Sequence, residues 1–457
     1  MKSYRLGLCR QYMAATVASI SVIVLGTSLG WPSPVLVKLR ESGQPMSLTD
    51  EQVSWMVSLL YVGNLASPLP AGLLMDKFGR KHSLLYLAII PLVAWTIILY
   101  AVNPYMLYFA RFLTGIWSGT VSTITPMYLA EISQPKIRGA LSTFVQIMTN
   151  IGVILEYIVG PYVSYKNLAI ISGSLPVAFI LTFWYMPESQ YWQLMHNRKF
   201  YAAKNLAWLR GFDNVADVKE EIEIISVAVQ EEMKNKRSLR ALVQTKGNRR
   251  ALLIVEALAT MQRMSGISAL MAYSSITLPE PGAGRLSPND CVIVMGLVWV
   301  VCVFIATIFV DSVGRKPLLF LSSIGCSIAM LFASLWFLLN DNTSINVTDY
   351  YWIPFASFLL YGLCFSIGLG PIASTMQGEL FPTNIKATAS GITSVILALT
   401  SFIMNKIYHT IAYHIGMYFN YLIFSIASLT SAVFVLMYVI ETKGKTLAQI
   451  QEILNKK

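Results

Sequence analysis

The sequence predicts an all-α protein that crosses a membrane many times. Of its 457 residues, 55% are hydrophobic and only 12% are charged, whereas a soluble domain carries about a quarter charged residues. The apolar residues gather into runs of about 20, the length that a helix needs to span a bilayer. Charged loop motifs also occur twice, once in each half and in the same order. Together these observations predict twelve transmembrane helices in two pseudo-symmetric six-helix bundles.

The twelve apolar runs follow one another along almost the whole chain. Gly and Pro interrupt the fourth and the tenth, while the others are more continuous. The runs lie near 13–34, 53–75, 83–102, 106–130, 139–162, 168–186, 251–278, 289–310, 317–339, 351–378, 387–407 and 416–440.

One long polar segment divides six runs from six and sets the predicted domain organisation. It contains two helix-like stretches, 202–210 and 218–234, separated by Gly211. It is too short for an ordinary catalytic domain, so we expect it to brace one face of the protein. The predicted divisions are a first bundle (1–186), a helical linker (187–250), a second bundle (251–440) and a tail (441–457).

The net charge of +11 reflects topology rather than a nucleic-acid partner. Most of the 34 Lys and Arg residues fall in alternate loops, and such loops stay in the cytoplasm. This predicts cytoplasmic termini and a multi-pass protein of the plasma membrane. The glycosylation sequons at Asn342 and Asn346 fall in a loop that this topology places outside the cell, where glycosylation occurs.

Three charged motifs recur in the two halves, each after the corresponding span. In the first half they supply Asp76, Arg80, Glu131, Arg138 and Glu188, and in the second Asp311, Arg315, Glu379, Lys386 and Glu441. Arg80 and Arg315 each follow a Gly that permits a tight turn, and each can reach a carboxylate at a neighbouring helix end. We interpret these pairs as salt bridges that gate the inner mouth and break when it opens; the alternative is simple anchoring of helix ends.

Internal repeats of this kind are typical of secondary transporters, which bind their solute between the halves. The sequence contains no nucleophile–base set, metal-ligand cluster or phosphate-binding loop, so an enzyme is the least favoured class. We expect no metal and no cofactor. The expected partners are a small solute and the lipid bilayer, and we assume a monomer.

The motifs resemble those of the sugar porters of the major facilitator superfamily over the whole length. The stretches Leu29–Pro34 and Ser54–Trp55 look most like the insect branch of facilitated trehalose transporters. The other stretches that carry the resemblance are the six loop motifs, Arg111–Gly115, Pro126–Glu131, Pro187–Ser189, Leu209–Gly211, Gln262 with Ser265–Ile267, Gly370–Ile372 and Glu441–Leu447.

By this resemblance the sugar site is only partly kept. Gln146 and Gln262 match side chains that hold the sugar in the family, and Tyr273 keeps the second of a tyrosine pair. Elsewhere the family residue is replaced, by Arg263, Ser268, Ser374 and, in span eight, Trp299. The resemblance implies that the substrate-binding residues are Gln146, Gln262, Arg263, Ser268, Tyr273 and Ser374.

Arg263 is an intramembrane cation, and such residues face a cavity or a partner. One interpretation is a ligand for a carboxylate-bearing solute, because a guanidinium binds carboxylates in a bidentate manner. The other is a fixed ion pair with the intramembrane Glu156, with Glu256 as a second, more distant candidate on the same span. Arg111 is the other possible partner of Glu156.

The resemblance implies facilitated diffusion of a sugar such as trehalose or a hexose by alternating access. Proton-driven relatives carry an Asp in span one, where this chain has Pro32. Because most of the site is altered, two alternatives stay open: transport of another small solute, including an anionic one, or a non-transporting sensor or inactive paralogue.

Overall fold

A computed structural model describes residues 2–39, 46–234, 239–279, 287–345, 347–381, 383–445 and 447–456. Within those ranges the chain forms α-helices, three short 3₁₀ turns (Gly160–Tyr162, Val215–Val218 and Thr348–Tyr350) and connecting loops. The class expected from composition, an all-α polytopic membrane protein, is therefore confirmed.

The first half is built from long helices whose beginnings are capped by side chains. Thr49 and Gln52 form a reciprocal capping box at the start of α3, and Asn103 caps α7, which has Pro104 at its first position. These caps satisfy amide groups that would otherwise lack partners. The helices are α1 (Lys2–Gly30), α2 (Pro32–Lys38), α3 (Asp50–Ala66), α4 (Pro68–Phe78), α5 (Arg80–Leu87), α6 (Ile89–Leu99), α7 (Pro104–Ile132), α8 (Pro135–Val159) and α9 (Tyr165–Phe183).

The linker and the second half repeat this construction. Ser287 and Asp290 form the capping box of α16. The linker contains α10 (Gln190–Met195), α11 (Lys199–Arg210), α12 (Lys219–Lys234) and α13 (Leu239–Gln244). The second half and tail contain α14 (Lys246–Met264), α15 (Ile267–Thr277), α16 (Pro288–Val313), α17 (Arg315–Asn342), α18 (Trp352–Ile367), α19 (Pro371–Leu380), α20 (Thr383–His414), α21 (Met417–Tyr438) and α22 (Leu447–Lys456).

Eight helical spans among the described residues are long and apolar enough to cross a membrane, and a ninth is formed if α3 and α4, bent by 44°, count together. The other three predicted spans correspond to α7, to α14 with α15, and to α16. α7 contains Arg111 and many Ser, Thr and Gly residues, α14 contains Glu256 and Arg263 before the break, and the part of α16 with described side chains, Pro288–Val303, is apolar but shorter. Each of the twelve predicted runs therefore coincides with helix.

The apolar cores show how the two halves meet. We call the end of the bundle that carries α10–α13 the linker end and the opposite end the distal end. One buried cluster contains side chains of both halves, among them Trp31 and Tyr157 with Tyr273 and Phe424. Two further clusters lie towards the linker end, one formed by the first half with α11 and one by the second half with α13 and α22. The halves thus share a core distally and have separate cores at the linker end.

The linker helices α10–α12 form a small helical layer on the first half, whereas α13 packs against α14 and α20. Arg210 Nη2 contacts Glu221 Oε1 at 2.7 Å, and its Nη1 donates to the carbonyl of Ile132 at 3.2 Å. Gln11 Nε2 donates to the carbonyl of Leu209 at 3.1 Å. Gly211 ends α11 with a φ of 75°, the left-handed conformation that favours glycine.

Candidate functional site

The seventh span is broken in the middle, and the break positions the candidate site. α14 ends at Met264 and α15 begins at Ile267. Gly266 between them has a φ of 100°, and a side chain there would overlap the ring of Phe424. Ser265 Oγ donates to the carbonyl of Gln262 at 2.7 Å and lies 2.8 Å from the hydroxyl of Tyr361. Interrupted spans of this kind line binding cavities in transporters.

Gln262 connects this break to a second one. Its Nε2 donates to the carbonyls of Leu369 and Gly370, both at 2.9 Å, at the point where α18 ends and α19 begins. The amide of Leu369 is in turn bonded to Ser322 Oγ at 2.8 Å. The break leaves these backbone groups without helical partners, and Gln262 supplies two of the missing donors. Its amide nitrogen is therefore engaged by protein.

A small cavity of about 40 Å³ lies between the halves. The first half contributes Gln146 and Asn150 from α8, and the second half contributes residues of α15, α16, α18 and the start of α19. Ser374 is exposed on α19, three residues after the cavity-lining Pro371, which puts it on the same face of that helix. The cavity therefore combines amide side chains with apolar walls.

Trp299 forms one wall of this cavity and is 5% exposed. Its indole nitrogen lies directly against Gly362 of α18, where a Cβ would overlap the ring. Glycine at position 362 is therefore what makes room for the indole. The large ring also reduces the free volume of the cavity.

Ser268 and Tyr273 face away from the cavity, towards α20. Ser268 Oγ donates to Ser401 Oγ at 3.2 Å. Tyr273 is fully buried, its hydroxyl donates to the carbonyl of Asn405 at 3.4 Å, and its ring stacks on Tyr408 at 4.7 Å. In this conformation both side chains stabilise packing within the second half.

Arg263 lies in the last turn of α14, beside Gln262. Its Nε is buried without a hydrogen-bond partner, and the side chain forms no ion pair within the described ranges. The phenol groups of Tyr61, from the first half, and Tyr361 are the titratable groups that interact with it electrostatically. The cation therefore lies where the two halves face each other.

Arg111 and Glu156 are placed close enough to interact with each other. Arg111 is 2% exposed and donates to the carbonyls of Ser28 at 2.6 Å and Met56 at 3.3 Å. Glu156 is fully buried and accepts a hydrogen bond from Ser172 Oγ. The cation that interacts electrostatically with Glu156 is Arg111. Neither Glu156 nor Glu256, which accepts from Thr393 Oγ1 at 2.7 Å, contacts Arg263.

At the linker end of the first half, Arg80 and Glu131 form an ion pair. The Nη2–Oε1 distance is 2.8 Å, and Arg80 Nε also donates to the same oxygen at 3.1 Å. Asp76 Oδ1 lies 3.8 Å from Arg80 Nη1. Glu188 accepts backbone N–H groups of Arg80 at 3.0 Å and Lys81 at 3.1 Å. These contacts join α5, α7 and the start of the linker.

The second half repeats the arrangement. Arg315 Nη2 lies 3.0 Å from Glu379 Oε1, and Glu441 accepts the backbone N–H groups of Arg315 and Lys316, both at 3.0 Å. Thr442 Oγ1 donates to Glu379 Oε2 at 2.5 Å, as Ser189 does to Glu131 in the first half. Each network joins the spans of one half to the segment that follows them, and both networks are formed although the two halves have separate cores at this end.

The remaining candidate residues are less informative. Lys386 is exposed, approaches Gly378 and forms no ion pair in the described part of the chain. Asn342 is exposed at the end of α17. Asn346 and the side chains of Arg138 and Asp311 lie outside the described residues.

At the distal end the halves are joined by direct polar contacts. Ser33 Oγ lies 2.5 Å from Ser275 Oγ, and Ser54 Oγ donates to the carbonyl of Lys406 at 2.7 Å. Tyr157 donates to the carbonyl of Met271 at 2.8 Å. These bonds reinforce the shared apolar core and close the distal end.

Comparison with known families identifies this architecture. Residues 16–454 match the family model described as "Sugar (and other) transporter". The chain belongs to the sugar transporter family. This confirms the resemblance seen in the motifs, and membership of a transporter family makes the chain a transporter homologue rather than an enzyme.

Curated members of the sugar transporter family include several similar proteins. The facilitated trehalose transporter Tret1 of Culex quinquefasciatus is 32% identical over 443 residues, which are 96% of this chain and 85% of that protein. Tret1 of Bombyx mori is 31% identical, over 98% of this chain and 87% of that protein. Tret1 of Anopheles gambiae is 31% identical over 96% of this chain, but this chain spans only 55% of its length.

Solved structures of sugar transporters share the fold. The xylose transporter XylE from E. coli, in a partially occluded inward open conformation, superposes with a TM-score of 0.80 at 19% identity, over 96% of this chain and 100% of XylE. The inward open conformation of XylE also superposes with a TM-score of 0.80, over 97% of this chain and 99% of XylE. This member of the sugar transporter family is therefore a multi-pass membrane protein with the fold of these structures.

The family motifs alone do not point to the cavity-lining Asn150 or to Tyr61, which interacts with Arg263. Asn150 follows Gln146 by one helical turn on α8, so helical spacing could have found it. Sequence spacing does not relate Tyr61 to any predicted site residue, because only the packing of α3 against the second half brings it near Arg263. Trp299 was noted as a replacement, but its place in the cavity wall depends on Gly362 of another helix.

Proposed function

We propose that the protein is a facilitative transporter of a small sugar, such as trehalose or a hexose, that works by alternating access. One observation carries the proposal: a cavity with amide side chains lies between halves that share a core at one end and have separate cores at the other. Rocking the halves about such a cavity would expose it to each side in turn. The names of the curated relatives support trehalose as the first sugar to test.

Within this proposal the substrate contacts come from both halves. Gln146, Asn150 and Ser374 offer donors and acceptors to sugar hydroxyls, and Trp299 offers an apolar face. Gln262 would contribute its amide oxygen, while Ser268 and Tyr273 would support α15. Arg263 would contact the substrate from the linker side of the cavity.

The two Arg–Glu networks are proposed to act in gating by keeping each half rigid. Because Arg80–Glu131 and Arg315–Glu379 each lie within one half, they would hold the ends of the spans together while the halves separate. This differs from the expectation that the pairs break when the mouth opens. Arg138, Lys386 and Asp311 would add charge near the same ends.

We infer uniport rather than proton coupling, because Pro32 stands where proton-driven relatives carry an acid. For topology we propose the plasma membrane, with the linker end and both termini in the cytoplasm and with Asn342 and Asn346 outside. The proposed units are the bundles 1–186 and 251–440, the linker 187–250 and the tail 441–457, in a monomer.

Uptake of radiolabelled trehalose and glucose into oocytes tests the proposal. The wild-type protein should equilibrate one of the two sugars without accumulating it. Gln146→Ala should raise KM at least several-fold, whereas Gln230→Ala, the same change on the exposed surface of the linker helix α12, should not. Surface expression without uptake of either sugar would contradict the proposal and favour a sensor or an inactive paralogue.

A further inference from the structure

Arg263 is an intramembrane cation in the last turn of α14, at the break of the seventh span. Its Nε is buried and unpaired, and across the described ranges no carboxylate contacts the guanidinium. A charged side chain within a membrane span costs about 2.5–3.5 kcal/mol to insert, and it usually faces an aqueous cavity or a partner. An arginine kept there without an ion pair therefore needs a partner from elsewhere.

The intramembrane acids are already engaged. Glu156 accepts a hydrogen bond from Ser172 and interacts electrostatically with Arg111. Glu256 is bonded to Thr393 and lies seven residues before Arg263, about 10 Å along the helix. Among the described residues, neither intramembrane acid is therefore placed to compensate the positive charge of Arg263.

The surroundings of that charge suit a sugar rather than a bare anion. Arg263 precedes the cavity-lining Ile267 by four residues, and the neighbouring Gln262 is bonded to Gly370, which also lines the cavity. The cavity offers the amide groups of Gln146 and Asn150 and the ring of Trp299. Hydroxyl groups need such amides, and a sugar ring packs on an aromatic face.

We infer that the site takes a sugar that bears a carboxylate, with Arg263 as its counter-charge. This inference rests on the proposed transport function and narrows its substrate class to sugar acids such as hexuronates. A planar guanidinium binds a carboxylate through two parallel hydrogen bonds, while the amides bind the hydroxyls. Movement of such a substrate by uniport carries one negative charge per cycle.

Proteoliposomes with an imposed potassium diffusion potential test the inference with labelled glucuronate, glucose 6-phosphate and glucose. Glucuronate uptake should follow the potential, with an equilibrium ratio of about 50-fold at 100 mV for one charge. Arg263→Gln should weaken glucuronate binding at least about tenfold, whereas the control Gln230→Ala on the exposed surface of α12 should leave it unchanged. Arg263→Lys keeps the positive charge but loses the planar guanidinium. It should retain the response to the membrane potential with a higher KM for glucuronate.

The outcomes separate this inference from the proposed function. If glucose enters while glucuronate neither enters nor competes, sugar transport stands and the inference is wrong. Entry of glucose 6-phosphate without glucuronate would also overturn it, because the carboxylate would not be the recognised group. If no sugar enters, calorimetric titration of purified protein with glucuronate decides: binding that Arg263→Gln abolishes supports the inference, and no binding by the wild-type protein ends it.

Discussion

Gln262 donates to the carbonyl of Gly370 at 2.9 Å and so joins the breaks of two interrupted spans. The same nitrogen also donates to Leu369 at 2.9 Å. Both carbonyls belong to the turn between α18 and α19, where no helical amide can reach them. Gln262 therefore holds together the two broken helices that border the central cavity.

Replacing Gln262 should affect stability more than the loss of one neutral side chain on the surface would. Gln262→Ala leaves buried carbonyls without donors, which costs about 1–3 kcal/mol, so the melting temperature in detergent should fall by several degrees. Gln146→Ala, which removes an amide that has no hydrogen-bond partner among the described residues, should leave the melting temperature unchanged. Equal melting curves for Gln262→Ala and the wild type would contradict this role.

Gly266 and Gly391 offer a matched pair of glycine substitutions. Gly266→Ala places a side chain at a φ of 100° and against Phe424, so it should destabilise the protein and abolish transport. At Gly391, inside α20, an added Cβ meets no atom within 4 Å, and alanine has the higher helix propensity. Gly391→Ala should therefore be neutral or slightly stabilising; a comparable loss for both variants would show that the break is not the cause.

The Arg80–Glu131 pair should couple more strongly than its counterpart. Its side chains are 4% and 12% exposed, against 13% and 27% for Arg315 and Glu379. Solvent screens the second pair more. Double-mutant cycles to Ala, with unfolding followed in detergent, should give a coupling of about 1–3 kcal/mol for the first pair and less for the second. Additive effects at Arg80 and Glu131 would rule out a direct pair.

The tail contact of Glu441 should depend on pH. Burial raises the pKa of this carboxyl, but backbone N–H groups, including those of Lys443, Arg315 and Lys316, outweigh burial and bring the pKa below its ordinary value of 4.5. The contact should thus contribute fully above pH 4.5 and be lost as the pH falls through the lower native pKa. The stability difference between wild type and Glu441→Gln should shrink below pH 4.5; a constant difference down to pH 3 would argue against it.

The distal contact between Ser33 and Ser275 allows a direct test of movement. Their hydroxyl oxygens are 2.5 Å apart in different halves, so Ser33→Cys with Ser275→Cys should form a disulfide on oxidation and abolish transport until it is reduced. The control pair, Ser327→Cys with Ser425→Cys, starts from hydroxyls 3.2 Å apart within the second half and should leave transport intact. Full activity of the crosslinked Ser33–Ser275 variant would exclude rocking at this end.

Local patterns were enough to predict the helices and the repeat. Each of the twelve apolar runs corresponds to helix, and the recurrence of Arg80 with Glu131 and of Arg315 with Glu379 was visible as spacing. Such features depend on residues close in sequence and on hydropathy, which act in the same way in any surroundings.

The side chains that form the candidate site were decided by tertiary structure. Ser268 and Tyr273 occupy positions of the family's sugar site, yet they pack on Ser401 and Tyr408 of α20. The unpaired state of Arg263 follows from where Glu156 and Glu256 find partners on other helices. The sequence alone determined which segments cross the membrane, since that depends on apolar composition; which faces meet was settled only when the helices packed, since that depends on contacts between distant residues.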